Sequence, residues 1–163
     1  IKSQDIEDKI IQLLPELNIG GVERGTKDFS KVLVDKGHKS VVISNGGAFE
    51  KNIVNDGGKH ITLPIHKKKL SSLFLSKQLK SIYEHEKPDI VHVRSRMPAW
   101  INFLAFKKMS IKPLLVSTFH GIKKNKKIFE FVNECYDKKV KSINVITGNL
   151  KLFASFINRM AFL

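Results

Sequence analysis

Near-continuous apolar runs rich in β-branched residues recur along this chain, and helical periodicity fills the stretches between them. The segments VVIS (41–44), IVHV (90–93) and LLVST (114–118) lack the polar alternation of a half-exposed strand. Such runs mark strands covered by helices on both faces, the environment of a parallel sheet. Six strands are expected, over residues 10–14, 40–44, 60–65, 89–93, 114–119 and 142–147. Phe29, Val32, Leu33 and Lys36 have helical spacing, as do Leu75, Leu79, Ile82 and Tyr83, and then Ile128, Phe129, Val132, Cys135 and Tyr136. Ser71 and Ser72 suit a helix start, Lys87-Pro88 a helix end, and Pro98 the first turn of another. Repeated β-α units with short connections specify the α/β class, a Rossmann-like doubly wound parallel sheet with right-handed crossovers.

The length of 163 residues supports a single domain, residues 1–163, with a substantial core. A hydrophobic content of 42% with 27% charged residues excludes a disordered chain. Cys135 is the single cysteine, which excludes an intramolecular disulfide or a cysteine cluster and fits a reducing, cytoplasmic compartment. No run of about 18 apolar residues is present to span a bilayer, and the opening IKSQDIEDKI is too polar for a secretory signal. The chain begins at Ile1 and ends inside an apolar stretch, 153–163, so a fragment of a longer protein is expected, prone to associate through that stretch. The 29 Lys and Arg against 15 Asp and Glu give a formal charge of +14, which calls for an anionic partner.

Open α/β sheets bind ligands beyond the carboxyl ends of their strands, so the residues following each strand carry the functional reading. After the first strand comes Asn18-Ile19-Gly20-Gly21-Val22-Glu23-Arg24-Gly25, a glycine pair running directly into a helix. Glycine admits close backbone approach, and a helix start offers unpaired N–H groups and a positive dipole end, so a phosphate or sugar can sit there. The plain alternative is a tight turn without a ligand. The order G-G-V-E-R-G departs from the G-x-G-x-x-G dinucleotide fingerprint. Thr26-Lys27 reverses the order of a P-loop, turning the lysine about 100° around the helix. A dehydrogenase and a P-loop ATPase are both disfavoured.

The fourth strand runs into Arg94-Ser95-Arg96, whose guanidinium forks suit a phosphate or carboxylate, with a solvated loop as the alternative. His92, inside the strand, reads as packed. After the fifth strand, His120 and Gly121 are placed to hydrogen-bond a substrate or handle a proton near neutral pH. His38, His60, His66 and His85 lack metal-ligand spacing, so no metal site is read. No G-x-S-x-G elbow is present and Cys135 falls on an apolar helix stripe, which leaves hydrolase chemistry without support.

With LLPELNIGGVERGTKDFSKVLVDKGH (13–38), KPDIVHVRSRMPAW (87–100) and STFHG (117–121), the chain resembles the amino-terminal domain of family 4 glycosyltransferases, which have the GT-B fold. The resemblance covers residues 10 to 156 and is greatest to bacterial enzymes that build lipopolysaccharide core or other surface polysaccharides. It implies a two-domain enzyme in which this half binds the acceptor, a second half binds a nucleotide-sugar donor, and a retaining hexosyl transfer takes place in the cleft. It implies no bound metal, and no cofactor is expected. Under the resemblance Gly20 and Gly21 approach the donor diphosphate and sugar, and His120, beside Gly121, is the catalytic residue that contacts the donor sugar. Arg94, Ser95 and Arg96 then lie at the acceptor side, with Glu23 and Arg24 lining the glycine-loop helix. The family's carboxyl-terminal glutamate pair, E-x7-E, has no counterpart in these 163 residues, so the chain alone is expected to be inactive. Thr147-Gly148-Asn149 keeps a hydroxyl where relatives commonly have a serine.

A charge of +14 exceeds what one substrate requires. Acceptors in the family are often lipid-linked, and basic residues near Trp100, Phe103 and Phe106 suit peripheral association with an anionic inner membrane face at about 1 kcal/mol per basic residue. Lysines scattered over solvated faces are the alternative. A basic nucleic-acid-binding module is the second functional class, but the phenylalanines fall on helix stripes and no nucleic-acid signature appears, so no nucleic acid is expected as partner. A truncated, non-catalytic binding module is the third.

Overall fold

The computed structural model describes residues 7–67, 74–118 and 142–145. Six strands, β1 (Lys9–Leu13), β2 (Lys39–Ser44), β3 (Lys59–Thr62), β4 (Ile90–Val93), β5 (Leu114–Thr118) and β6 (Ser142–Val145), form one sheet in the order β3-β2-β1-β4-β5-β6. Every neighbouring pair is parallel. Among the described residues four helices accompany them: α1 (Gly21–Asp35), α2 (Glu50–Asn55), α3 (Leu75–Glu86) and α4 (Arg96–Lys107). Because β1 lies between β2 and β4, the chain winds outward from β1 in both directions and leaves a crevice where the loops after β1 and β4 part.

Alternate side chains of each strand enter different layers. Ile11, Leu13, Val41, Ile43, Val91, Val93 and Leu115 pack with Leu79 and Tyr83 of α3 and with Ile101, Ala105 and Phe106 of α4. The intervening Ile10, Ile90 and Val116 meet Phe29 and Leu33 of α1, while Val42, Leu14 and Leu17 meet Ile53 of α2. Helices therefore cover both faces, which is why consecutive strand positions are apolar. This is the doubly wound parallel sheet expected from the sequence.

The differences are local. β3 ends at Thr62 rather than at 65, since Pro64 has no N–H to extend the ladder, although Leu63 and Ile65 stay buried. Helix α2 was not foreseen; six residues with Ile53 as their one buried side chain are too short to show a period. α3 closes on Lys87 in the left-handed region (φ 49°), immediately before Pro88. Phe106 is 2% exposed and packs edge-to-face on Tyr83 at 5.7 Å, so it belongs to the core rather than to an outward basic face. Ser71, Ser72, Phe119, the helical pattern at 128–136 and Thr147 lie outside the described residues.

Candidate functional site

The glycine turn after β1 is held in place by the loop after β2. The Leu14 N–H donates to the Ile43 carbonyl (3.2 Å), Asn45 N–H to Pro15 (2.9 Å), Leu17 N–H to Gly46 (2.8 Å) and Phe49 N–H to Leu17 (3.0 Å). The two loops approach so closely that a Cβ on Gly47, whose φ is +145°, would lie 2.5 Å from the Leu17 carbonyl carbon. On this base Gly20 is extended (φ −173°, ψ 171°) and caps α1, its carbonyl accepting the Arg24 N–H at 3.0 Å. Glu23, at the third helical position, curls back so that its carboxylate covers the space a Gly20 side chain would need. That carboxylate already occupies the positive end of the helix, where the dipole favours a negative charge. Among the described residues nothing lies within 4 Å of where a Gly21 Cβ would stand. Arg24 is exposed beside it, and Ile19 presents an apolar side chain, 84% exposed, at the mouth.

The two arginines after β4 part company. Arg94 donates its backbone N–H to Leu13 (3.0 Å), and its side chain turns inward, leaving the residue 6% exposed. Its Nε and Nη2 both donate to Gln12 Oε1, at 3.1 and 2.8 Å, while Gln12 Nε2 donates to the Thr26 carbonyl in α1 at 3.1 Å. Burial pushes the Arg94 guanidinium down to about 10, so it stays charged at neutral pH. Ser95 is the extended cap of α4 and Arg96 its exposed first residue, so this guanidinium is the one of the pair open to a ligand in solution. Gln12, fully buried, ties β1, α1 and β4 together and is the residue that sequence reasoning missed. Its signal was a carboxamide within KIIQL, a strand otherwise apolar at its buried positions. His92 lies beside this network, its Nε2 2.7 Å from Thr118 Oγ1 and its ring edge-on to Phe29 at 6.4 Å, which is a packed histidine.

A second polar cluster braces the loop after β2. His60 Nε2 is 2.9 Å from Ser44 Oγ and His60 Nδ1 is 3.3 Å from Glu50 Oε1. The connectivity is that of a Ser-His-acid triad, yet Ser44 is fully buried and its Oγ also accepts the Gly46 N–H at 3.0 Å. The cluster acts as a clamp, because no substrate can reach that oxygen. Burial lowers the His60 pKa and outweighs the opposing pull of Glu50, so the imidazole is neutral at pH 7. Lys27, the lysine at the P-loop-like position, pairs with Asp28 at 2.9 Å and lies 5.9 Å over the Phe49 ring. Among the described residues no three His, Cys, Asp or Glu side chains gather as a metal would require. His120 and Gly121 lie outside the described residues.

A parallel sheet of this order, with the glycine turn after β1 and the arginine loop after β4 at its switch point, defines a Rossmann-like domain. Within that class the chain belongs to Glycosyltransferase Family 4, whose family model matches residues 19–146. A glycosyltransferase from Rickettsia africae ESF-5 superposes with a TM-score of 0.65 at 29% identity, over 87% of this chain and 43% of its own. A putative UDP-N-acetylglucosamine 2-epimerase from Listeria monocytogenes shares the fold at TM-score 0.53 and 16% identity, over 86% of this chain and 39% of its own. The sheet is thus of the GT-B type, and the chain spans less than half the length of either structure. No curated protein matches it. Among the described residues no helix is long and apolar enough to cross a membrane.

Proposed function

We propose that the protein containing this chain transfers a hexosyl group, with retention, from a nucleotide-sugar donor to a cell-envelope glycan or lipid-linked acceptor, as in bacterial lipopolysaccharide or surface-polysaccharide synthesis. Residues 1–163 are the acceptor-side domain, inactive alone, and a donor-binding second domain completes the cleft. The protein works in the cytoplasm at the inner membrane face, without a metal or other cofactor. The observation that carries this reading is the glycine turn at the switch point, with Gly21 uncovered among the described residues and α1 beginning behind it. Departure of a nucleoside diphosphate leaves negative charge that must be met by prearranged donors, and the free N–H groups of the first turn together with Arg24 are of the required type. Glu23 swings aside as the diphosphate arrives. Arg96 and Ser95 then meet the acceptor, with Arg94 behind them, and His120 and Gly121 meet the donor sugar.

The test is a transfer assay on the intact protein, with a panel of nucleotide sugars and envelope glycans and product mass as the readout. Acceptor-dependent release of a nucleoside diphosphate is expected, and His120→Ala should slow it at least about tenfold, which is ~1.4 kcal/mol of transition-state stabilisation. A rate within about threefold of wild type removes His120 from the reaction centre. Failure to turn over any donor with any acceptor contradicts the transferase reading itself.

A further inference from the structure

We propose that the loop between α4 and β5 docks the protein on an anionic lipid bilayer, with Ile111 entering the acyl boundary and a ring of lysines facing the headgroups. The inference rests on the membrane-peripheral part of the reading above and is independent of sugar transfer. Ile111 is 87% exposed, the highest value among the large apolar side chains of the described residues. It sits in the sequence KKMSIKP, flanked by exposed Lys107, Lys108 and Lys112. Exposed Lys87, at the end of α3, lines the same groove as Lys108, Ile111 and Lys112.

Lys80, on the wall of the same groove, is neutralised by Glu84, and Lys9 and Lys59 both hold Glu86. None of Lys87, Lys107, Lys108 and Lys112 has a carboxylate within 4.0 Å among the described residues. The groove, of about 720 Å³, lies between the ends of α3 and α4; Tyr83, Pro88, Met109 and Leu114 give it apolar lining, and of its two carboxylates Glu84 is held by Lys80 and Asp89 accepts the Lys9 N–H at 2.7 Å. A lone exposed isoleucine means little, but one ringed by unpaired lysines beside an apolar groove combines the two attractions of an interfacial segment. A polynucleotide answers the charge and gives Ile111 nothing to enter. An anionic bilayer answers both.

The placement differs from the α4 face suggested by Trp100, Phe103 and Phe106, because Phe106 is spent on the core. The loop precedes β5 and so lies at the amino edge of the sheet, a strand length of roughly 15 Å from the carboxyl edge at ~3.3 Å per residue. Docking there leaves the ligand crevice open above the lipid.

Vesicle co-sedimentation of the protein tests this, with phosphatidylcholine alone and with phosphatidylglycerol added, at about 0.1 M salt, where charges act over about 10 Å. Binding is expected to the anionic vesicles only, to fall at least tenfold in Ile111→Asp, and to be lost when Lys108 and Lys112 are both changed to Glu. Ile111 is too exposed for its substitution to unfold the chain, and circular dichroism verifies this. Wild-type protein that ignores anionic vesicles overturns both this docking surface and the membrane-peripheral reading. Anionic binding undiminished in Ile111→Asp overturns the docking surface alone. Binding of a polyuridine strand by wild type and Ile111→Asp alike, with no vesicle binding, assigns the lysines to nucleic acid instead.

Discussion

Replacing Gly47 by valine lowers the melting temperature of the chain by about 10 °C, the shift expected from a loss of roughly 3–4 kcal/mol in a domain of this size. Two costs combine. Gly47 has φ +145°, a region that side-chain-bearing residues enter only at about 1–3 kcal/mol. Its Cβ would also press on the Leu17 carbonyl carbon at 2.5 Å and on the Leu17 oxygen and Asn18 nitrogen at 2.8 Å. These neighbours are backbone, fixed by the hydrogen bonds that join the loops after β1 and β2, so no side chain can yield. Relief requires separating the loops and displacing the glycine turn. Thermal denaturation followed by circular dichroism checks the prediction, and a variant melting within 2–3 °C of wild type, under about 1 kcal/mol, shows that the loops are not braced as described.

Arg94→Ala is expected to cost about 3 kcal/mol of stability. The substitution leaves Gln12 Oε1 buried without either of its two Arg94 donors, at about 1–3 kcal/mol for an unsatisfied buried group, and opens a cavity on the α1 face of the sheet. Arg96→Ala, on an exposed residue at the start of α4, leaves the melting temperature unchanged and raises the acceptor KM of the intact enzyme. Denaturant titration separates the two. Equal stability of Arg94→Ala and wild type contradicts the buried network, and a loss of donor rather than acceptor saturation in Arg96→Ala contradicts its placement.

These two arginines also show where the sequence is legible. Alternation of apolar runs with helical patterns predicts the strands, their parallel sense and the two helical layers, since each strand must be apolar on both faces. The same argument places the residues after β1 and β4 at one sheet edge, which topology then brings to a common crevice. The direction of a side chain at a strand end is a different matter. Arg94 and Arg96 are equivalent in sequence, and their divergence depends on Gln12, eighty-two positions from Arg94, whose carboxamide offers an acceptor inside the sheet. Long-range pairing of that kind leaves no local pattern. Gly47 is hidden for the same reason, because its constraint comes from the backbone of Leu17 and Asn18 rather than from its neighbours in the chain. Gly20 and Gly21, by contrast, stand out locally by opening a helix directly after a strand and its short turn.

The central claim is that the glycine turn at the switch point receives the donor's diphosphate, and Gly21→Ala in the intact enzyme tests it most directly. Among the described residues nothing stands within 4 Å of the added methyl, and Gly21 is a first-turn helical residue without a positive φ, so the fold accepts alanine with a small gain of about 0.4–1 kcal/mol. A stability defect therefore cannot masquerade as a functional one. The account predicts a melting temperature equal to or above wild type together with a kcat/KM for the nucleotide sugar at least about tenfold lower, as the methyl intrudes on the ligand. A variant that is as stable and as active as wild type would contradict the account, leaving the glycine pair as a turn with no ligand upon it.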